Sequence, residues 1–111
     1  MNEDTLKSLT ERLRTFAEER NWERFHTPKN LTAAVAGEAG ELAAVLQWAS
    51  PTEDLSVYRD ELDEEMADVL IYLVRLADVL HIDLIAAANA KINANARRYP
   101  VDGTSQRAHR T

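Results

Sequence analysis

Two pairs of carboxylates are the residues of this chain best suited to chemistry, because the members of each pair are three positions apart. Glu38 and Glu41 form the first pair, and Glu65 and Asp68 form the second. Residues three apart on a helix share one face, with Cβ atoms roughly 5 to 6 Å from each other. Two such helices packed together would bring the four carboxylates close to one another.

Both pairs fall where apolar core residues are expected. In the first segment, rows of residues seven apart contain one glutamate each: Leu31, Glu38 and Val45 in one row, and Ala34, Glu41 and Trp48 in the next. In the second segment an apolar stripe runs past Glu65 and Asp68: Leu62, Val69, Leu73, Leu76 and Leu80. Ionised carboxylates are very costly to bury without a partner. This pattern therefore favours a bound cation over a solvated acidic face.

Oxygen-only ligands favour Mg²⁺, with Mn²⁺ as a substitute, and Mg²⁺ sites usually add waters and substrate phosphate oxygens to a few carboxylates. We therefore predict that Glu38, Glu41, Glu65 and Asp68 are the metal ligands and catalytic residues of a phosphohydrolase. Glu38 and Glu41 are the candidates to activate water, and Glu64 is a remoter one.

Length and composition indicate one small globular domain. The chain has 111 residues, a net charge of −6, 45% hydrophobic residues and no cysteine, which excludes zinc-thiolate sites and disulfides. No apolar run reaches the ~18 residues of a membrane span, and the start is acidic rather than signal-like, so we predict a cytoplasmic protein without a membrane partner. Residues 1–90 hold 18 acids against 8 bases; this acidic body argues against nucleic-acid binding.

Apolar periodicity predicts four helices, at about residues 4–20, 28–48, 53 or 56 to 81, and 83–98, with no strand. Predicted caps are Asn2 or Asp4 for the first helix, Thr27 followed by Pro28 for the second, and Asp83 for the fourth. The fold class is therefore all-α, a four-helix bundle-type protomer. Residues 1–100 are predicted to form a single domain and residues 101–111 a mobile, polar and basic tail.

The second and fourth predicted helices are rich in alanine, and Gly37 and Gly40 flank the first acid pair. Glycine inside a helix costs up to about 1 kcal/mol relative to alanine, so two of them indicate close approach by another helix or a ligand. Small residues on several faces and a thin core predict a homo-oligomer.

Two alternatives compete with the phosphohydrolase. A di-iron carboxylate bundle uses Glu-x-x-His pairs, and Glu23 with His26 or Asp78 with His81 have that spacing. However, one histidine precedes a proline and the other ends a helix, which disfavours this reading. A non-catalytic helical binding or oligomerisation module would require the acids of both helices to face water.

A nucleotide would need further contacts, since the chain has no glycine-rich phosphate loop. Lys91, Asn95 and Arg98 on the last helix are candidates to hold phosphates. Ring side chains on which a base could stack are Trp22, Phe25, His26, Trp48 and Tyr72.

The split acid motif resembles that of the MazG-like all-α nucleoside triphosphate pyrophosphohydrolases. Further blocks are similar to the dCTP pyrophosphatase branch of that family: residues 21–26 (NWERFH), 37–42 (GEAGEL), 46–48 (LQW), 64–73 (EEMADVLIYL) and 95–100 (NARRYP). The blocks occur in matching order over roughly residues 5 to 100. Many MazG-type proteins have a glutamate doublet where this chain has Gly37 before Glu38, and the dCTP branch shares that glycine.

The resemblance implies Mg²⁺-dependent cleavage of dCTP or 5-modified dCTP to the monophosphate and pyrophosphate, which cleanses the nucleotide pool. It implies metal binding by the four motif acids. It also implies a base site formed by Trp22, His26, Trp48 and Tyr72, with Lys91, Asn95 and Arg98 helping to hold the nucleotide. The family assembles as dimers of dimers, so a homotetramer is expected.

Overall fold

Four α-helices and two short 3-10 helices form the part of the chain that the structure, a computed structural model, describes, which is residues 5–101. The α-helices are α1 (Leu6–Glu19), α2 (Pro28–Val45), α3 (Arg59–Leu80) and α4 (Leu84–Arg98). The 3-10 helices are Glu23–Phe25, within the connection from α1 to α2, and Ser56–Tyr58, just before α3. No strand occurs within residues 5–101. The all-α prediction is confirmed.

Side-chain hydrogen bonds cap the starts of α1, α2 and α4, whereas Tyr58, the N-cap residue of α3, makes no side-chain cap hydrogen bond. Thr27 Oγ1 accepts a hydrogen bond from the Asn30 amide at 3.1 Å, and Pro28 occupies the first turn of α2, as predicted. Asp83 Oδ1 likewise accepts from the Ala86 amide at 3.0 Å at the start of α4.

The predicted cap of α1 was wrong. Asn2 and Asp4 lie outside the described residues, and Thr5 occupies the capping position. Thr5 Oγ1 accepts from the Ser8 amide at 3.0 Å, while the Thr5 amide donates to Ser8 Oγ at 3.3 Å. This reciprocal pair is a capping box, and it starts the helix at Leu6.

The described chain forms two compact units, one ending at His81 and the other beginning at Ile82. In the first unit, α1 and α2 both pack against α3. Its buried apolar residues are Ala17, Leu31, Val74 and Ala77. The second unit contains α4. A single domain over residues 1–100 stays a prediction, and the predicted mobile tail lies, from residue 102 onward, outside the described residues.

One of the two glutamate rows of α2 follows the prediction. Leu31 is buried and Glu38 is half-buried in the same row. The neighbouring row is not buried in this chain, because Glu41 is exposed and Trp48 is 89% exposed. Trp48 lies beyond the end of α2, which stops at Val45 rather than near Trp48, whereas Glu41 is exposed within the helix.

Gly37 and Gly40 lie in the interior of α2. A Cβ built on either would meet no atom within 4 Å, so nothing within residues 5–101 makes the close approach predicted there. Among the described helices, none has a stretch long and apolar enough to span a membrane.

A candidate metal centre between two helices

Three of the four predicted acids converge where α2 lies against α3. Glu38 on α2 and Glu65 and Asp68 on α3 each offer a carboxylate oxygen, and these oxygens all lie within 4.8 Å of one another. All three residues are half-buried. The three-residue spacing puts Glu65 and Asp68 on one face of α3, and helix packing brings Glu38 to that face. We call these residues the carboxylate triad.

Electrostatics at the triad are unfavourable without a cation. Burial raises the pKa of Glu65, and the negative charges of Asp68, Glu38 and Glu41 raise it further. Three oxygen donors at this separation can share one hard divalent cation, and they leave other coordination positions for water or phosphate oxygens. The residues present therefore fit a divalent metal ion such as Mg²⁺ or Mn²⁺.

The fourth predicted acid, Glu41, is exposed and stands outside the triad. It lines an adjoining cleft of about 440 Å³ that shares Glu65 with the triad. The lining residues of this cleft are Glu41, Ala44, Val45, Tyr58, Glu61, Glu64 and Glu65. Glu41 and Glu64, both candidates to activate water, thus lie beside the triad. Ligation of a metal by Glu41 stays a prediction.

Two residues of the cleft, Tyr58 and Glu61, were missed from the sequence as site residues. Glu61 precedes Glu65 by four positions, so the two share a face of α3; that spacing could have identified it. The Tyr58 hydroxyl donates to Glu53 Oε2 at 3.3 Å, and the negative charge of Glu53 raises the pKa of Tyr58.

The connection before α2 brings together two of the predicted base-binding rings. The ring centroids of Trp22 and His26 lie 6.2 Å apart, and Trp22 meets Phe16 of α1 edge-on at 5.6 Å. Trp22 remains 43% exposed, so part of its indole is free to contact a ligand.

A chain of polar contacts ties His26 to α3 and α1. Arg75 Nε donates to His26 Nδ1 at 3.2 Å, and a second nitrogen of Arg75 donates to Asp78 Oδ2 at 3.1 Å. Arg14 of α1 donates hydrogen bonds to both carboxylate oxygens of Asp78, at 2.7 and 3.0 Å. Arg75 is only 5% exposed. The sequence contained a signal for this network, since an arginine inside the apolar run of α3 requires a partner.

The same contacts argue against a di-iron centre. His26 Nδ1 is occupied by Arg75, and Asp78 is bound by two arginines. Within residues 5–101, the residues grouped closely enough to hold a metal ion are the three carboxylates, with no histidine among them.

The other predicted ligand-binding residues lie on α3, in the turn after α2, and on α4. Tyr72 is half-buried on α3, one turn beyond Asp68, and Trp48 is exposed in the turn after α2. On α4, Lys91 and Arg98 are exposed and Asn95 is half-buried. A role for these five residues in binding a nucleotide stays a prediction.

Known proteins are similar to this chain in sequence and in fold. The model of the MazG-like family matches residues 35–110. A dCTP pyrophosphatase 1 from Mus musculus is 47% identical over 104 residues, and one from Homo sapiens is 44% identical over 108. The match covers 89% and 88% of this chain, respectively. The chain spans 61% of the length of each of these curated relatives.

A solved structure agrees with this placement. The crystal structure of a pyrophosphatase from Archaeoglobus fulgidus DSM 4304 superposes with a TM-score of 0.83 at 38% identity, and the match covers 90% of this chain and 96% of that one. With the triad formed by the split acid motif, and with a family model that matches more than half of its length, this chain belongs to the MazG-like family.

Proposed function

We propose that this protein is a Mg²⁺-dependent nucleotide pyrophosphohydrolase that converts dCTP or 5-modified dCTP to the nucleoside monophosphate and pyrophosphate. Its role would be to cleanse the nucleotide pool. The alternatives, a di-iron centre and a non-catalytic helical module, have less support because the converging side chains are all carboxylates and are half-buried.

The observation that carries the proposal is the convergence of Glu38, Glu65 and Asp68 between α2 and α3. Hard oxygen donors of this kind suit the cation that accompanies nucleoside triphosphates. The names of the relatives support the same substrate class, since those from mouse and human are called dCTP pyrophosphatases. The nucleotide base is the part of the proposal that depends on these relatives.

A bound divalent cation would supply positive charge that offsets the triad and the phosphate oxygens and makes phosphorus more open to attack. The chain's own contribution is to hold the three carboxylates in place through the packing of α2 on α3. Hydrolysis then requires a water to lose a proton as it attacks the α-phosphorus and the bond to the bridging α–β oxygen breaks. Glu41 and Glu64 line the cleft beside the triad, and either carboxylate is a candidate to accept that proton.

The spacing along α3 suits an extended nucleotide. Asp68 of the triad and Arg75, which holds His26, are seven residues apart, which is roughly 10 Å along a helix. Tyr72 lies between them. A triphosphate at the triad could therefore place its base near Trp22 and His26, within the length of one nucleotide. The roles proposed for Lys91, Asn95 and Arg98 in holding the nucleotide rest on the amino-acid sequence.

We also infer a homotetramer built as a dimer of dimers. Two features of the first unit support a surface that contacts another copy of the chain. Trp48 and Met66 are 89% and 57% exposed, and Gly37 and Gly40 leave open space on α2. A cytoplasmic location is part of the same proposal and rests on the amino-acid sequence.

The test is pyrophosphate release from a panel of purine and pyrimidine nucleoside triphosphates, including 5-methyl-dCTP, with Mg²⁺, with Mn²⁺ and with chelator. We expect release from dCTP or its 5-modified form to exceed that from the other nucleotides and to stop with chelator. Equal inactivity toward every nucleotide would reject the enzyme and leave a binding module. Iron that copurifies and supports oxidation would favour the di-iron alternative.

A further inference from the structure

We propose that Arg75 is a positioning residue that fixes His26 as a neutral imidazole carrying its proton on Nε2. His26 then meets a ligand only as a hydrogen-bond donor. The inference deepens the proposed function and rests on it in one respect, namely that the ligand beside His26 and Trp22 is the nucleotide base. The protonation state of His26 itself can be measured without any ligand.

The guanidinium group of Arg75 determines which nitrogen of His26 carries the hydrogen. Arginine stays protonated in proteins and offers donors but no acceptor. Arg75 Nε lies 3.2 Å from His26 Nδ1 and donates to it. Nδ1 must therefore carry a lone pair rather than a hydrogen, and in the neutral ring the hydrogen resides on Nε2. Protonation of Nδ1 would turn two donors toward each other and break the contact.

The side chain of Arg75 is held in place by burial and by Asp78. Its side chain is 6% exposed, and a nitrogen other than Nε donates to Asp78 at 3.1 Å. Asp78, whose side chain is 13% exposed, is in turn held at both oxygens by Arg14. The guanidinium plane is therefore anchored on one side by Asp78 and meets the imidazole on the other. Anchoring of this kind fixes the tautomer and the orientation of a histidine.

The charges around His26 also favour the neutral ring. Two arginines and one aspartate give the network a charge of +1, so a protonated His26 would raise it to +2. Burial lowers the pKa of His26, and the positive charge of Arg75 lowers it further, against a weaker opposing effect of Glu23. The charge of His81 lowers the pKa of Asp78, as do Arg14 and Arg75. Burial and the charge of Arg75 together outweigh Glu23, and the neutral ring is favoured.

A neutral Nε2–H donor selects one kind of partner. It can bind a carbonyl oxygen or an unprotonated ring nitrogen of a base, and it rejects an exocyclic amino group, which is also a donor. A buried donor left without a partner is penalised more than a made bond is rewarded. Arg75 would thus contribute to base selection indirectly, by fixing the tautomer of His26, which contacts the base.

The test uses ¹⁵N-histidine-labelled full-length protein without nucleotide, and two-bond ¹H–¹⁵N spectra that report tautomer and protonation for each of the three histidines. Variants His26→Gln and His81→Gln assign the signals. We expect wild-type His26 to be neutral with hydrogen on Nε2 at pH 7 and to titrate below its usual value of 6.5. A wild-type His26 that carries hydrogen on Nδ1, or that is protonated at pH 7, would overturn the inference whether or not an Arg75 variant folds.

Arg75→Met and Arg14→Met form a matched pair, since each removes one partner of Asp78 but only the first removes the donor to His26. In Arg75→Met we expect the titration midpoint to rise toward 6.5 and the Nδ1–H tautomer to appear, while Arg14→Met keeps the wild-type pattern. Identical histidine spectra in the two variants would contradict a positioning role.

Kinetics separate this inference from the proposed function. With dCTP we expect Arg75→Met to raise KM by up to about tenfold, the worth of a neutral hydrogen bond, and to leave kcat nearly unchanged. If the KM of Arg75→Met equals that of the wild type, His26 does not contribute to base binding through Arg75, whereas the assigned tautomer of His26 is unaffected by this result. Inactivity of wild-type protein toward all nucleotides would instead defeat the proposed function and, with it, the ligand-binding part of this inference.

Discussion

Glu38 of α2 and Glu65 of α3 place carboxylate oxygens within 4.8 Å of each other, so the contact between the two helices also brings negative charges together. Without a cation this repulsion opposes folding. We therefore expect Glu38→Gln to raise the melting temperature by a few degrees in chelator, an effect of about 1 kcal/mol or less. Circular dichroism melts would show it.

The control for this prediction is Glu11→Gln, which removes an exposed acid from α1 and should leave the melting temperature within about a degree of the wild type. If Glu38→Gln destabilises the metal-free protein, the carboxylates do not repel one another as the geometry implies.

Mg²⁺ should stabilise the wild-type protein in proportion to its binding to the triad. At a concentration a hundred times its Kd, a ligand specific for the folded state adds about 2.7 kcal/mol. For a chain of this size that raises the melting temperature by roughly 10 to 20 °C. Asp68→Asn should lose most of this gain. A melting temperature that responds equally to Mg²⁺ in both proteins, at constant ionic strength, would place the metal elsewhere.

Asp78 should make the stability depend on pH in the acid range. A hydrogen bond from Arg14 lowers the pKa of Asp78 below its usual value of 3.8, and the positive charges of Arg14 and Arg75 act in the same direction. Because the folded state then binds protons less readily than the unfolded state, this contribution is present above pH 3.8 and is lost as the pH falls through the folded-state pKa. Denaturant melts between pH 2 and 7 measure it.

Asp78→Asn should cost about 2 to 4 kcal/mol at neutral pH, since it leaves the buried Arg75 without its carboxylate. It should also flatten the pH dependence. Asp63→Asn is the matched control: Asp63 pairs with Arg59 at 3.4 Å, and both side chains are largely exposed, so less than about 1 kcal/mol is expected. Equal losses in the two variants would show that the network of Arg14, Asp78 and Arg75 stabilises no more than a surface ion pair.

Trp22 should affect substrate binding more than turnover. Removal of a stacking ring costs about 1 to 3 kcal/mol per base, so Trp22→Ala should raise KM for dCTP about 5- to 160-fold, with a smaller change in kcat. Steady-state kinetics below the melting temperature of the variant would measure this.

Phe25→Ala provides the comparison for Trp22, because Phe25 lies in the same connection and is 54% exposed, with Arg24 over its ring at 4.6 Å. Its KM should stay within about twofold of the wild type. If both substitutions leave KM unchanged, the base binds away from this connection.

The helices and the triad were predictable because local rules determine them. Thr27 with Pro28 marks the start of α2, Asp83 marks the start of α4, and the apolar spacing of α3 places Glu65 and Asp68 on the face that meets α2. These features depend on residues three or four apart, which the sequence contains directly.

The features that could not be predicted depend on contacts between residues far apart in the sequence. Trp48 was expected at a core position, but α2 ends three residues earlier and leaves it exposed. Arg75 could be recognised as a buried charge in need of a partner, yet its partners His26 and Asp78, and the contact of Asp78 with Arg14, follow from how α1 and the connection pack on α3. Periodicity along one helix does not specify such packing.

The most direct test of the metal centre is pyrophosphate release from dCTP and Mg²⁺ by the wild type, Asp68→Asn and Glu11→Gln, each verified as folded by circular dichroism. We predict that Asp68→Asn loses at least about 100-fold in kcat, in the range found when a group that stabilises the transition state is removed, while Glu11→Gln keeps wild-type turnover. Full turnover by Asp68→Asn would contradict the assignment of the carboxylate triad as the catalytic metal site.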